Sequence, residues 1–262
     1  MSAPKFSMCI IAKNEAVSLV HLLATLSNFR QRGGEIIVLD TGSTDDTARV
    51  AEGLGASVVK TAPNQFAIIA MKEGARAINS KFVATGDLPV ILTRTKIFDY
   101  GTARNYVAKF AKNDMICIPD ADETFSRLDI DAINAFIDRG WNRFKVWFTD
   151  NPTNKFFYDA RWYDRRVYQW HGTMHETLQP VNDNVTQAVM QVPAEACAME
   201  HHQVANKNRS NYLANLAYAR YIDPDNERQA HCFARQLMYE HRNKSAIAQF
   251  MEHLLMKNME CF

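Results

Sequence analysis

Three acidic residues stand within four positions at Asp120, Asp122 and Glu123, in the stretch MICIPDADET from Met115 to Thr124. Carboxylates this close repel one another unless a cation or hydrogen-bond donors neutralise them. The chemistry they offer is ligation of Mg2+ or Mn2+, which binds through few carboxylates together with phosphate oxygens. A solvated acidic turn ahead of a helix starting near Arg127 would use the same residues, and Asp-x-Asp by itself does not decide between the two. Other polar residues follow the same pattern. Asn14 and Glu15 come after the apolar run FSMCIIA, Asp40 comes after EIIVL, and Arg104 and Asn105 lie in DYGTARNYVAKFAK just ahead of the acidic stretch. Asp40 can accept hydrogen bonds from a nucleobase or ribose, and Arg104 can take a phosphate through two parallel hydrogen bonds. Asp122, with Asp120 acting through water, can hold the metal.

These residues need a scaffold that brings them to one edge. Phe6 to Ala12, Glu35 to Leu39 and Ala56 to Thr61 read as strands. Between them, Val17 to Leu26 has helical spacing, and a second helix runs to about Leu54 with Ser43 or Thr44 placed to cap it. Met115 to Ile118 reads as a further strand buried on both faces. Strand alternating with helix predicts an α/β fold with a mostly parallel, Rossmann-like wound sheet. Ligands bind such sheets beyond the carboxyl ends of the strands. Asn14, Glu15, Asp40, Asp120 and Asp122 all fall at that edge.

The rest of the chain is read more coarsely. Phe66 to Ile78 is read as a helix and Pro89 to Thr93 as a short strand, inside a segment from Gln65 to Lys96 that is partly an insertion. Asp99 to Lys112 is an amphipathic helix with Tyr106, Val107 and Phe110 on one face and Arg104 and Lys112 on the polar side. Leu128 to Ile137 reads as a helix ended by Gly140, and Arg143 to Thr149 as a strand. Phe156 to Trp170 interleaves aromatics with Arg161, Arg165 and Arg166, which suits stacking on bases or sugars, or equally two strands with an aromatic core face. Gln187 to Met199 reads as a strand ending at His201 and His202. Ser210 to Tyr221, Glu227 to His241 and Lys244 to Met256 are helical, with Asp225 or Asn226 as a cap. The expected organisation is a sheet domain over 1–204 and a docked C-terminal helical extension over 205–262. The 30 Lys and Arg against 29 Asp and Glu leave a net charge of +1, which gives no bulk electrostatic sign of a nucleic-acid or membrane partner. No apolar run reaches the ~20 residues of a membrane span. MSAPKFSMCIIAKNE lacks the features of a signal peptide, so the cytoplasm is the expected compartment. Five widely spaced cysteines with no CxxC pair are expected to be reduced, buried thiols.

The pieces CIIAKNEA, EIIVLDTGSTDDT, FDYGTARNYVAKFAKNDMICIPDADE and MHETL resemble the family 2 glycosyltransferases of the GT-A fold. The similarity is to the branch acting on bacterial surface polysaccharide and lipopolysaccharide core, in which an ARN helix precedes a DADE strand. It spans roughly residues 6 to 204 and continues into AMEHHQVANKNRSNYL; the long segment from Gln65 to Lys96 departs from it. The resemblance implies a metal-dependent, inverting transfer of sugar from a nucleotide-sugar, with a UDP-sugar foremost, to a hydroxyl of a glycan or lipid-linked acceptor, with Mn2+ or Mg2+ as cofactor. It implies that Asp40 contacts the base, with Ala12, Asn14 and Glu15 lining the same pocket, and that Arg104 meets base or diphosphate. Asp120 and Ala121 would lie along the donor nucleotide, Asp120 meeting ribose or a metal-bound water. Asp122 would ligate the metal, with a late histidine, His201, as a further ligand and His175 as its competitor. An inverting transfer needs a general base for the acceptor hydroxyl; Glu176 is expected to be that base, with Asp150 and Asp159 as reserves. Three alternatives stand beside this reading. A sugar transferase acting on a modified DNA base would use the basic and aromatic stretch 161–170 and Lys207 to Arg209. A nucleotide-sugar-binding module would lack catalysis. A nucleotidyltransferase would normally show a glycine-rich loop where this chain has KNEA.

Overall fold

The computed structural model describes residues 2–69, 71–87, 96–151, 155–202 and 212–249. In chain order their elements are β1 (Phe6–Ala12), α1 (Ala16–Thr25), α2 (Ser27–Gln31), β2 (Glu35–Asp40), α3 (Thr47–Gly53), β3 (Ser57–Lys60), β4 (Ala67–Ile69), α4 (Lys72–Thr85), β5 (Lys96–Phe98), α5 (Tyr100–Ala108), β6 (Met115–Cys117), β7 (Glu123–Leu128), α6 (Ile130–Asp138), β8 (Arg143–Asp150), β9 (Lys155–Asp164), β10 (Tyr168–His171), β11 (Thr177–Pro180), β12 (Val189–Gln191), β13 (Cys197–His201), α7 (Tyr212–Ile222) and α8 (Glu227–Tyr239). They fall into two compact units. One comprises Met1–Gln65, Ala103–Trp170 and Leu178–Ala205, and the other Phe66–Thr102, His171–Thr177 and Asn206–Phe262.

The first unit is built on a sheet with strand order β3-β2-β1-β6-β9-β8-β13-β7, and β12 shares the β8 edge with β13. The pairs β3–β2, β2–β1 and β1–β6 are parallel, as the alternation of strand and helix predicts. Antiparallel pairing enters where β9 lies between β6 and β8, and again where β7 meets β13. The apolar runs of β1, β2 and β6 are buried nearly throughout, because helices cover both faces of such a sheet. Phe6, Ile10, Leu22, Val38, Phe144 and Trp162 belong to the resulting core. Ala12 stands opposite Asp40, and Ile11 bridges to Asp120, so the carboxyl ends of three adjacent strands lie at one level.

The second unit has its own core, with Ile78, Phe82, Ile97, Met174, Leu216, Phe233 and Leu237 among its buried residues. Within it, β4 pairs antiparallel with β5, and α4 and α8 each pack on α7. Asn226 caps α8, its side chain accepting the Gln229 N–H.

Several local expectations are corrected. Glu123 to Leu128 is a strand, held antiparallel to β13, and the following helix starts at Ile130. Its true start signal is Asp129, whose carboxylate accepts the N–H groups of Asp131 and Ala132. Neither Ser43 nor Thr44 caps α3; Asp46 occupies that position. The strand expected over Gln187 to Met199 is two strands separated around Pro193, which has no N–H for a ladder. Phe66 to Ile78 contains a strand before its helix. Arg104 is 4% exposed rather than on a polar surface, whereas Phe110 is 45% exposed. Cys9, Cys117, Cys197 and Cys232 are buried free thiols. Pro89 to Thr93, Lys207 to Arg209, Cys261 and the end of the helix expected from Lys244 lie outside the described residues.

Candidate active site

The strand-end loops of the first unit are tied together by polar side chains. Asn14 has a left-handed backbone, φ 55°, a conformation that asparagine tolerates better than most residues. Its Oδ1 accepts the Thr44 N–H at 2.8 Å, and its own N–H donates to the Ser43 hydroxyl at 2.9 Å. The Glu15 N–H donates to the Thr47 hydroxyl at 2.8 Å, and its carboxylate accepts from Ser18 at 2.7 Å. Asp40, 7% exposed, accepts the Ser43 N–H at 2.8 Å. Asn14 and Glu15 thus brace the turn that follows Asp40, with Ala12 level with Asp40 in the neighbouring strand.

The acidic stretch is neutralised by two arginines. Arg104, reaching from α5, donates to Asp120 Oδ1 at 2.8 Å and lies 5.0 Å over the Trp170 ring. Arg161, from β9, reaches the other Asp120 oxygen at 3.2 Å, pairs with Glu123 and lies 3.3 Å from Asp159. Glu123 is 1% exposed, and one of its oxygens accepts the Asp120 N–H at 2.9 Å. Burial pushes its carboxyl up, with Arg161 opposing. Ala121, 5% exposed, fills the core beneath. Glu123 is thus the buried centre of an ion network, and Asp120, its side chain 41% exposed, is tied into it by both arginines.

Asp122 meets a histidine. Its carboxylate is 3.6 Å from Nε2 of His201, whose Nδ1 lies 3.0 Å from Asp150 Oδ1. The registers explain the meeting: His201 stands opposite Glu123 in β7 on one side and Asp150 in β8 on the other. At 3.6 Å the Asp122 contact is an ion pair rather than a hydrogen bond. Asp122, opposed by burial and reinforced by Asp150, raises His201 to about 9. Among the described residues no three His, Cys, Asp or Glu side chains are arranged to hold a metal ion. An oxygen and a nitrogen 3.6 Å apart can nevertheless both touch one cation at ligand distances of ~2.1 Å. The imidazole is held from behind by a carboxylate, as metal-binding histidines usually are. The pair fits a cation completed by phosphate oxygens and water.

Glu176 and His175 belong to the second unit. His175 has φ 52°, and its Nε2 is 2.7 Å from the Tyr212 hydroxyl. Of the reserve bases, Asp150 faces His201 and Asp159 faces Arg161. Arg161 is the site residue that sequence reasoning missed. In the sequence it stands as a cation among aromatics, and Glu123 and Asp120, which it joins, lie 38 and 41 positions away. Arg165 and Arg166, read with it, pair with Asp114 and Asp164.

Residues 7–88 match the family model described as Glycosyl transferase family 2. A 55-residue stretch is 44% identical to an uncharacterized glycosyltransferase of Rickettsia felis, covering 21% of this chain and 18% of that protein. A Rickettsia conorii protein of the same description matches equally. The chain thus spans 18% of the length of these curated relatives. Among solved structures, S. aureus TarS 1-349 in complex with UDP-GlcNAc is similar over 93% of this chain and 74% of that one, with a TM-score of 0.52 and 14% identity. The likeness is one of fold, and the fold is the GT-A type. Glucosyl-3-phosphoglycerate synthase of Mycobacterium tuberculosis, in complex with Mn2+ and UDP-glucose, matches over 55% of this chain and 44% of that one, with 20% identity and a TM-score of 0.34.

Proposed function

We propose that the chain is a metal-dependent, inverting glycosyltransferase that moves a sugar from a nucleotide-sugar, foremost a UDP-sugar, to a hydroxyl of a glycan or lipid-linked acceptor. The observation that carries this is the meeting of Asp122 with His201, in a unit whose neighbouring strand ends present Asp40 and Asp120. Asp40, on a turn braced by Asn14 and Glu15 and beside Ala12, would accept hydrogen bonds from the base. Asp120, held by Arg104 and Arg161 and next to Ala121, would meet the ribose or a metal-bound water. Arg104 is already engaged with Asp120 and would act through it. Asp122 and His201 would hold Mg2+ or Mn2+, which supplies Lewis-acid neutralisation of the diphosphate leaving group. Asp150 would fix the orientation of His201 through Nδ1. Glu176 would take the acceptor proton on its carboxylate.

No helix among the described residues is long and apolar enough to cross a membrane. Arg161, Arg165 and Arg166 each pair with carboxylates of the chain, which favours the glycan or lipid-linked acceptor over one on DNA. The test is thermal stability with UDP, GDP and dTDP, with and without Mn2+. One nucleotide should stabilise the chain only with metal, and Asp122→Ala should abolish the shift. Stabilisation that persists unchanged in that variant sinks the assignment.

A further inference from the structure

The loop that carries Glu176 packs on the first turn of α8 within the second unit, around polar groups that the proposed transfer leaves unused. Gly172, φ 95°, lies so close that a Cβ there would be 2.9 Å from Gln229 Nε2 and 3.4 Å from Asn226 Nδ2. Gln229 is fully buried, yet neither end of its amide has a hydrogen-bond partner among the described residues. The Thr173 hydroxyl, on a residue 7% exposed, is likewise unpartnered. Buried amides and hydroxyls are normally satisfied, and two orphans on one seam call for a polar occupant. Arg228 and Arg235 are two turns apart, hence on one face of α8, and no carboxylate among the described residues pairs with either. Exposed arginines on a helix are ordinary, but here both bear on His175. Burial first, then Arg228 and Arg235, lower its pKa, with Glu176 opposing. The Tyr212 hydroxyl reaches the same imidazole.

We propose that Arg228, Arg235, Gln229 and the loop from Gly172 to Glu176 bind a phosphate group of the acceptor, so that the acceptor is a phosphorylated glycan. Two unpaired guanidiniums match a dianion better than a single carboxylate, and their planar forks suit phosphate oxygens. Phosphate held here lies beside Glu176 in the same loop, where the acceptor hydroxyl must lose its proton. The inference rests on the sugar-transfer reading.

The experiment is calorimetric titration of the full chain with inorganic phosphate at constant ionic strength, with chloride as control. One phosphate should bind. The double variant Arg228→Ala/Arg235→Ala should weaken it at least about tenfold, and Arg228→Lys/Arg235→Lys should weaken it less. Asp122→Ala should bind phosphate as wild type does while losing Mn2+-dependent UDP binding, which separates this site from the donor site. Equal phosphate affinity in wild type and the double alanine variant overturns the proposal. So does binding no stronger than that of chloride. Arginine-dependent binding to phosphatidylglycerol vesicles without affinity for inorganic phosphate overturns it in favour of a lipid surface. A wild type that binds phosphate but no nucleotide with Mn2+ overturns the acceptor role and the sugar-transfer reading together.

Discussion

Arg161 is the side chain on which the acidic stretch depends. It reaches Asp120, Glu123 and Asp159, and the Glu123 side chain is 2% exposed. Removing one partner of a buried ion pair leaves an uncompensated charge, so Arg161→Met should cost about 3–5 kcal/mol in urea unfolding. Adding Glu123→Gln should return part of that loss; no recovery would show that packing, not charge, dominates. Asp150 bears on the proposed metal site through His201. Asp150→Asn should therefore weaken Mn2+ affinity about 10–100-fold, read from a Mn2+ titration of thermal stability with UDP present. The sequence exposed Asp122, Asp120 and Asp40 because each follows an apolar run. It hid Arg161, because the neighbouring Asp159 gives no sign that the same guanidinium also meets Asp120 and Glu123.

At the scale of elements, caps and turns set the boundaries. Asp129 supplies two hydrogen bonds to the first turn of α6, and Asp129→Ala should lower stability by about 1 kcal/mol, measured by the urea midpoint. Helix–strand order was legible through β3, where apolar runs and glycines alternate at regular spacing. It failed at β7, because ETFSRL has little apolar content of its own and becomes a strand only by pairing with β13. In the loop ahead of β11, burial and two arginines hold His175 below its ordinary value. A histidine lowered on folding binds fewer protons folded than unfolded. Its contribution is fully present above about pH 6.5 and is lost as pH falls through the lowered value. Hydrogen exchange in α8 should therefore speed up between pH 7.5 and 5.5, after correction for intrinsic rates. His175→Gln should remove most of that difference; an equal acceleration in both proteins would exclude the imidazole as the cause.

For the whole molecule, the chain gathers a sheet unit carrying Asp40, Asp122 and His201 and a second unit carrying Glu176. A donor nucleotide bound with metal at a hundred times its Kd should stabilise the protein by about 2.7 kcal/mol. Scanning calorimetry with and without UDP and Mn2+ checks this, and shows whether one transition or two respond. What the sequence determined by itself was the wound α/β class and the edge that carries the acids. Apolar runs separated by helical segments can be buried only in a sheet covered on both faces, and right-handed winding puts their carboxyl ends together. Which acid meets which cation was decided only in three dimensions. Register shifts between Phe144 and Lys145, whose partners in β9 are Trp162 and Ala160, leaving Arg161 as the extra residue of a bulge. His201 reaches Asp122 because β13 inserts between β8 and β7. Strand order and bulge position come from the summed packing of distant segments, and no local pattern encodes them.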